Sequence, residues 1–184
     1  MQVIKLGGSL EKSKQLVDCL NYIANNIKGR VVIVAGGGLF ADGVRLAQQQ
    51  WQFNDVIAHE MAILAMQQMA LLFNGIRPDF KRVNLISEIC SGTQSPRIII
   101  WSPEIAELNQ AAIKASWDIT SDSLAAWLAA QLQASQLTLV KAADFSQGNI
   151  AQLTEQGIID NAFSKFIENA GFKTLIISAD KFHE

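Results

Sequence analysis

Lys5 interrupts an apolar run, Val3 to Leu6, and Gly7, Gly8 and Ser9 follow directly. A lysine in a strand interior is costly unless its ammonium emerges at the strand end beside an anion. The adjoining glycines supply what an anion needs, because backbone N–H groups converge on it with no Cβ in the way. A second cluster, Gly36-Gly37-Gly38, follows the run Val31 to Ala35 and also leads into a helical pattern. One glycine cluster is as readily a tight strand-to-helix turn, and Lys5 alone is as readily a snorkelling surface lysine. Two clusters, one beside a strand-end lysine, favour a polyphosphate or a phosphate in transit, with Lys5 placed to neutralise phosphoryl oxygens.

The third stretch is WDITSDSLAAWLA, Trp117 to Ala129. Thr120 or Ser121 can cap a helix here, with Asp118 and Asp122 near its positive end. Capping accounts for one acid and one hydroxyl but not for the dense Thr-Ser-Asp-Ser series. An aspartate at this point suits holding lysines in place through charge pairs. Two familiar nucleotide signatures are poorer fits. The pattern G-x-x-x-x-G-K-[ST] is absent, and although Gly36, Gly38 and Ala41 match G-x-G-x-x-A, the acid that should follow on a second strand, Asp55, is preceded by the unstrandlike QQQWQFN. No Ser-His-Asp or Cys-His constellation is present. Cys19 and Cys90 follow no metal-ligand spacing and the chain has 2 histidines, so neither a disulfide nor a structural metal is expected.

The elements that must position these residues alternate along the chain. Strands are expected at Val3–Leu6, Val31–Ala35, Arg82–Ile86, Arg97–Trp101, Leu137–Lys141 and Lys173–Ser178. Helices are expected at Ser13–Ile27 with Gly29 as its C-terminal cap, Phe40–Gln50, Val56–Phe73 stopped by Asn74-Gly75, and Ser121 to about Ala134. Unbroken β-branched runs such as VVIVA mark strands buried on both faces, and strand–helix alternation predicts an α/β protein with a mostly parallel central sheet. No repeat or long linker divides residues 1–184, although composition changes near Ser116.

Net charge is −2 with 17% charged residues, which leaves no basic field for nucleic acid or an anionic membrane. The apolar stretch Met61 to Phe73 is too short to span a bilayer, and no secretory signal pattern opens the chain. A cytoplasmic location is expected.

Taken in order, KLGGS, VAGGG and ITSDSLAAWLA resemble the motifs of the amino acid kinase family over essentially the whole chain. The resemblance implies a three-layer α/β/α sandwich with an acceptor-binding lobe, 1–115, and a nucleotide-binding lobe, 116–184. It implies an ATP- and Mg2+-dependent kinase in which Lys5 stabilises the transferred group and Asp122 organises the lysines. Gly7, Gly8, Ser9, Gly36, Gly37 and Gly38 would bind phosphate. Lys165 is the positional match for a second catalytic lysine late in the chain. Lys141 is its competitor, and with Asp144 it would lie near the nucleotide phosphates.

GGGLFADGVR and AHEMAILAMQQMA together with the third motif are similar to the small methanofuran-biosynthesis kinases of the family, which convert an aminomethylfuran-methyl phosphate to its diphosphate. A phosphorylated small-molecule acceptor would then meet Asp42, Arg45 and His59. Asp42 and Arg45 are equally a solvated salt bridge, and His59 equally an ordinary surface or capping residue. Another acceptor on the same fold, or nucleotide binding without catalysis, are the rival readings. The helix from Val56 is apolar nearly all round, and relatives commonly dimerise through this region, so a homodimer is expected.

Overall fold

The computed structural model describes residues 1–90, 96–145 and 148–183. The strands are β1 (Gln2–Leu6), β2 (Val31–Ala35), β3 (Lys81–Val83), β4 (Ile98–Trp101), β5 (Gln136–Lys141) and β6 (Lys173–Ser178). They form one six-stranded sheet in the order β3-β4-β2-β1-β5-β6. Every pairing is parallel. The helices are α1 (Gln15–Asn26), α2 (Gly38–Trp51), α3 (Asp55–Ile76), α4 (Ile86–Cys90), α5 (Ile105–Gln110), α6 (Ser121–Gln131), α7 (Ile150–Glu155) and α8 (Phe163–Ile167).

Strand alternation divides the core between the two sheet faces. Val3, Val32, Val34, Trp101, Leu137 and Leu139 pack with α6 and with Phe163 of α8. Ile4, Leu6, Ile33 and Ile100 pack on the opposite face against Leu16, Cys19, Leu20 and Ile23 of α1. This is the expected three-layer α/β/α sandwich. Helix α3 serves both layers, with Ile63 and Met66 in the first core and Met69, Ala70 and Phe73 in the second. By length and composition alone this 22-residue helix, with a mean hydropathy of 1.5 over its most apolar 18 residues, is enough to cross a membrane. Its buried residues are part of this protein's own core.

Several boundaries differ from expectation for identifiable reasons. Asn74-Gly75 does not stop α3. The helix continues to Ile76, and Asn74 Nδ2 instead donates to the Phe80 carbonyl at 2.8 Å. The strand expected at 82–86 ends at Val83 because the amides of Asn84 and Leu85 donate to Glu88 at 3.0 and 2.9 Å and lead into α4. Part of the polar loop beyond it, 91–95, lies outside the described residues. Gly29 lies two residues past the C-cap of α1 at φ +82°, and the Arg97 guanidinium donates to the Ala24 and Ile27 carbonyls at that end. Helix α6 stops at Gln131 rather than near Ala134, as Gln133 turns left-handed.

Candidate active site

The parallel register brings two lysines to one face. Lys5 of β1 lies opposite Leu139 of β5, so Lys141, two residues on, projects to the same side. Helix α6 packs over that side and turns Asp122, in its first turn, toward both. Lys5 Nζ lies 2.8 Å from Asp122 Oδ1, and Lys141 Nζ donates a 2.6 Å hydrogen bond to Oδ2. The Lys5 contact is a close ion pair. Lys5 is 4% and Asp122 3% exposed.

Burial alone would raise the Asp122 pKa, but the charges of Lys5 and then Lys141 overcome it and hold the carboxyl at about 2. Lys141 moves the other way. Burial first, and then repulsion from Lys5, lower its ammonium to about 8 against the pull of Asp122. At neutral pH the cluster therefore sets two buried positive charges against one negative, which favours a phosphate at its mouth.

The glycine loops do two jobs. Gly7 N–H donates to the Val140 carbonyl at 2.8 Å and Gly36 N–H to Leu6 at 2.9 Å, so these two amides extend the sheet ladder and are not available to a phosphate. A Cβ on Gly8 would lie 2.3 Å from Gly38 N, and one on Gly36 2.4 Å from Gly8 N. These glycines allow the loops after β1 and β2 to pass at backbone contact. Gly38 has φ +54°, and Glu11 closes over the start of α2 with Oε1 accepting from Leu39 N–H at 3.1 Å. The expected cradle thus narrows to Gly8, Ser9, Gly37 and Gly38, which line a cavity.

The Thr-Ser-Asp-Ser series is explained by a residue that the sequence did not single out. Asp160 Oδ2 accepts from Thr120 N–H, Thr120 Oγ1 and Ser123 N–H at 2.9, 3.0 and 3.0 Å, while Oδ1 accepts from Ser123 Oγ at 2.5 Å. Thr120 occupies the N-cap position, yet its own side chain does not cap α6. The capping expected of Thr120 or Ser121 comes from this distant carboxylate. Asp118 is exposed, accepts from Asn161 and Ser116, and is held below the usual carboxylate range by those bonds.

Two cavities meet at the carboxyl ends of the strands, where parallel α/β sheets place ligands. One, of about 250 Å3, has an apolar floor that includes Ala62, Ile63 and Met66, with Asp42, Arg45, Asp55 and His59 around it. The other, of about 490 Å3, is lined by Lys5, Asp122 and Lys141 and by the segment Gly157 to Asn161. Gly8, Ser9, Arg45, Trp117 and Thr120 line both. Asp42 and Arg45 do not pair. Asp42 lies 3.6 Å from Lys12, and the Arg45 guanidinium stacks 3.8 Å above the Trp117 ring.

His59 is buried, its Nε2 has no hydrogen-bond partner, and burial lowers its pKa against a smaller opposing effect of Glu60. It is therefore neither a surface nor a capping histidine. Asn54 caps α3, accepting from Ile57 N–H at 3.0 Å. Lys165, the expected second catalytic lysine, is exposed on α8 and lines neither cavity, whereas its competitor Lys141 lies against Asp122. Asp144 is likewise exposed and outside both. Among the described residues no cluster of three His, Cys, Asp or Glu side chains is suited to a metal ion.

The model of the amino acid kinase family matches residues 1–145. A relative from Methanocaldococcus jannaschii, (5-(aminomethyl)furan-3-yl)methyl phosphate kinase, is 27% identical over 145 residues, covering 78% of this chain and 67% of the relative. Among solved structures, uridylate kinase from Archaeoglobus fulgidus superposes with a TM-score of 0.70 at 18% identity, over 97% of this chain and 91% of the other. UMP kinase from Ureaplasma parvum gives 0.69 at 15% identity, over 99% and 91%.

Proposed function

Since the chain belongs to the amino acid kinase family and is a phosphotransferase, we propose that it transfers the γ-phosphoryl group of ATP to a phosphomonoester, (5-(aminomethyl)furan-3-yl)methyl phosphate, giving the diphosphate. The observation that carries the reading is the Lys5–Asp122–Lys141 cluster lining one of two cavities that share the Gly8-Ser9 turn. In this reading the nucleotide lies in the larger cavity and residues 116–184 form its lobe, while the acceptor lies in the smaller one against residues 1–115.

An acceptor phosphate oxygen attacks the γ-phosphorus, the bond to the β-phosphate bridging oxygen breaks, and ADP leaves. The nucleophile is already ionised, so the site supplies alignment and charge neutralisation rather than a strong base. Lys5 and Lys141 oppose the charge on the transferred oxygens, and Asp122 fixes both ammonium groups without touching substrate. The amides of Gly8, Ser9, Gly37 and Gly38 face the acceptor phosphate. His59, neutral near pH 7, donates to that phosphate, and Arg45 binds its edge. Asp42 and Asp55 suit the acceptor's ammonium, and the apolar floor suits its ring. Both Asp122 oxygens are engaged by lysines, which fits Mg2+ entering on the nucleotide's phosphates rather than in a protein cage. Bound there, the ion would supply shielding of phosphate charge.

The relative's acceptor and the cavity's mixture of acid, base and apolar surface support this substrate. Purified protein with Mg-ATP and the furan phosphate is expected to form the diphosphate, seen by 31P NMR, and Lys5→Ala to form none. Transfer to another member of an acceptor panel, with none to the furan phosphate, would keep the kinase and remove the substrate. The same reading places the protein in the cytoplasm as a homodimer joined through the outward apolar residues of α3, among them Leu64 and Leu71, which are 45% and 54% exposed. A monomer in sedimentation would refute that assembly.

A further inference from the structure

Arg45 and Gln48, one turn apart on α2, both hold Trp117. The Arg45 guanidinium carbon lies 3.8 Å above the indole ring, and Gln48 Oε1 accepts from Trp117 Nε1 at 2.6 Å. Gln48 is itself fixed, since its Nε2 donates to Asp55 Oδ1 at 2.9 Å and to the Phe53 carbonyl at 3.2 Å. The indole therefore cannot rotate freely beneath the arginine. Arg45 makes no ion pair among the described residues, and Asp42, its nearest acid in sequence, faces Lys12. Arg45 and Trp117 each line both cavities, so the stacked pair stands at their boundary.

We infer that Trp117 is a positioning residue for Arg45, holding the guanidinium flat at the boundary so that its edge grips the acceptor's phosphate. This rests on the reading of Arg45 as a phosphate-binding residue. Stacking occupies the face of a guanidinium and leaves its edge N–H groups free to fork onto phosphate oxygens. An arginine on the surface otherwise samples many rotamers, most of them aimed away from the cavity. The ring removes those alternatives, and Gln48 fixes the ring. A lysine would not do the same, because it has neither a face to stack nor a fork.

The test is a double-mutant cycle on acceptor KM with Mg-ATP saturating. Arg45→Ala is expected to raise acceptor KM about tenfold, and Trp117→Leu about three- to fivefold. Trp117→Phe, which keeps a ring under the guanidinium but loses the hydrogen bond to Gln48, is expected to fall between wild type and Trp117→Leu. In the Arg45→Ala background, Trp117→Leu adds almost nothing, because the two act as one unit. The Kd for ADP is expected to change by no more than about twofold throughout. Additive effects, a parallel loss of ADP binding, or equal losses in the Phe and Leu variants would assign Trp117 a purely structural role.

A second measurement needs no acceptor turnover. The Arg45 Nε–H resonance, displaced by the Trp117 ring current, is expected to move on titration with inorganic phosphate in the wild type and in Trp117→Phe but not in Trp117→Leu. If the furan phosphate proves not to be a substrate while this response holds, the substrate reading falls and the inference stands. If the resonance ignores phosphate in the wild type, the inference falls whatever the acceptor.

Discussion

Replacing Asp122 by Asn tests the electrostatic logic of the site, because it removes one charge and leaves two buried ammonium groups facing each other. The Asp122 pKa is held at about 2 against an ordinary 3.8, which at about 1.4 kcal/mol per unit contributes about 2 kcal/mol to folding at neutral pH. Leaving uncompensated buried charges brings the total loss to about 3–5 kcal/mol, or a fall in Tm of about 6–20 °C for a chain of this size. Since the folded pKa lies below the unfolded one, Asp122's contribution is fully present above pH 3.8 and is lost as pH falls from there through 2. Urea unfolding of wild type and Asp122→Asn, at pH 7 and then stepwise below pH 4, is expected to show a gap that narrows by about 2 kcal/mol. A triple variant, Lys5→Met, Asp122→Leu and Lys141→Met, is expected to fold at least as stably as the wild type and to transfer no phosphoryl group. A gap below about 1 kcal/mol, or one that does not change with pH, would refute the account of Asp122 as the counter-ion of both lysines.

Lys141, with its pKa at about 8, loses charge as pH rises through that value, so kcat is expected to fall on the alkaline side. Lys141→Arg, which stays charged, should shift that limb upward even at a reduced rate, and an unshifted limb would place the titration elsewhere. The glycines offer a paired stability test. Gly8→Ala must displace backbone at Gly38 and is expected to cost about 2–3 kcal/mol. Gly43→Ala, in the middle of α2 with nothing within 4 Å of the added Cβ, is expected to stabilise by about 0.5–1 kcal/mol. Equal effects by denaturant unfolding would contradict the close approach of the two glycine loops.

The strands were legible because continuous β-branched runs between glycines have few other readings, and five of the six lie within a residue of where the sequence puts them. Lys5 and Asp122 were legible as chemical anomalies, a charge in an apolar run and an acid in a cluster of hydroxyls. The second lysine was legible only as a choice between Lys165 and Lys141. Lys141 ends an apolar strand just as Lys5 interrupts one, but sequence order does not say that β5 lies beside β1, and without that register nothing joins the two side chains. Asp160 is a similar case. Its four hydrogen bonds reach residues 37 and 40 positions earlier, and no local pattern marks it. Helices α4, α5, α7 and α8 have five or six residues each, too few for a 3.6-residue period to stand out. Trp117 was read only as part of a motif, since its partners Arg45 and Gln48 lie on α2, across the boundary between the cavities.

The proposed reaction brings together two anions, a nucleotide and an acceptor phosphate, and their repulsion is the first thing the protein must offset. Surface lysines would do little, because solvent screens them. Here the positive excess is buried in the Lys5–Asp122–Lys141 cluster and fixed in position before either substrate arrives. The carboxylate between the ammonium groups makes that burial tolerable, since without it the two positive charges would only repel one another. Arg45 adds a third cation at the boundary, on the acceptor's side of the transferred group. His59 adds none, because burial lowers its pKa and favours the neutral ring. In the proposed reaction the charges would grade from the nucleotide toward the acceptor, strongest at the lysine cluster where the negative charge in transit is greatest.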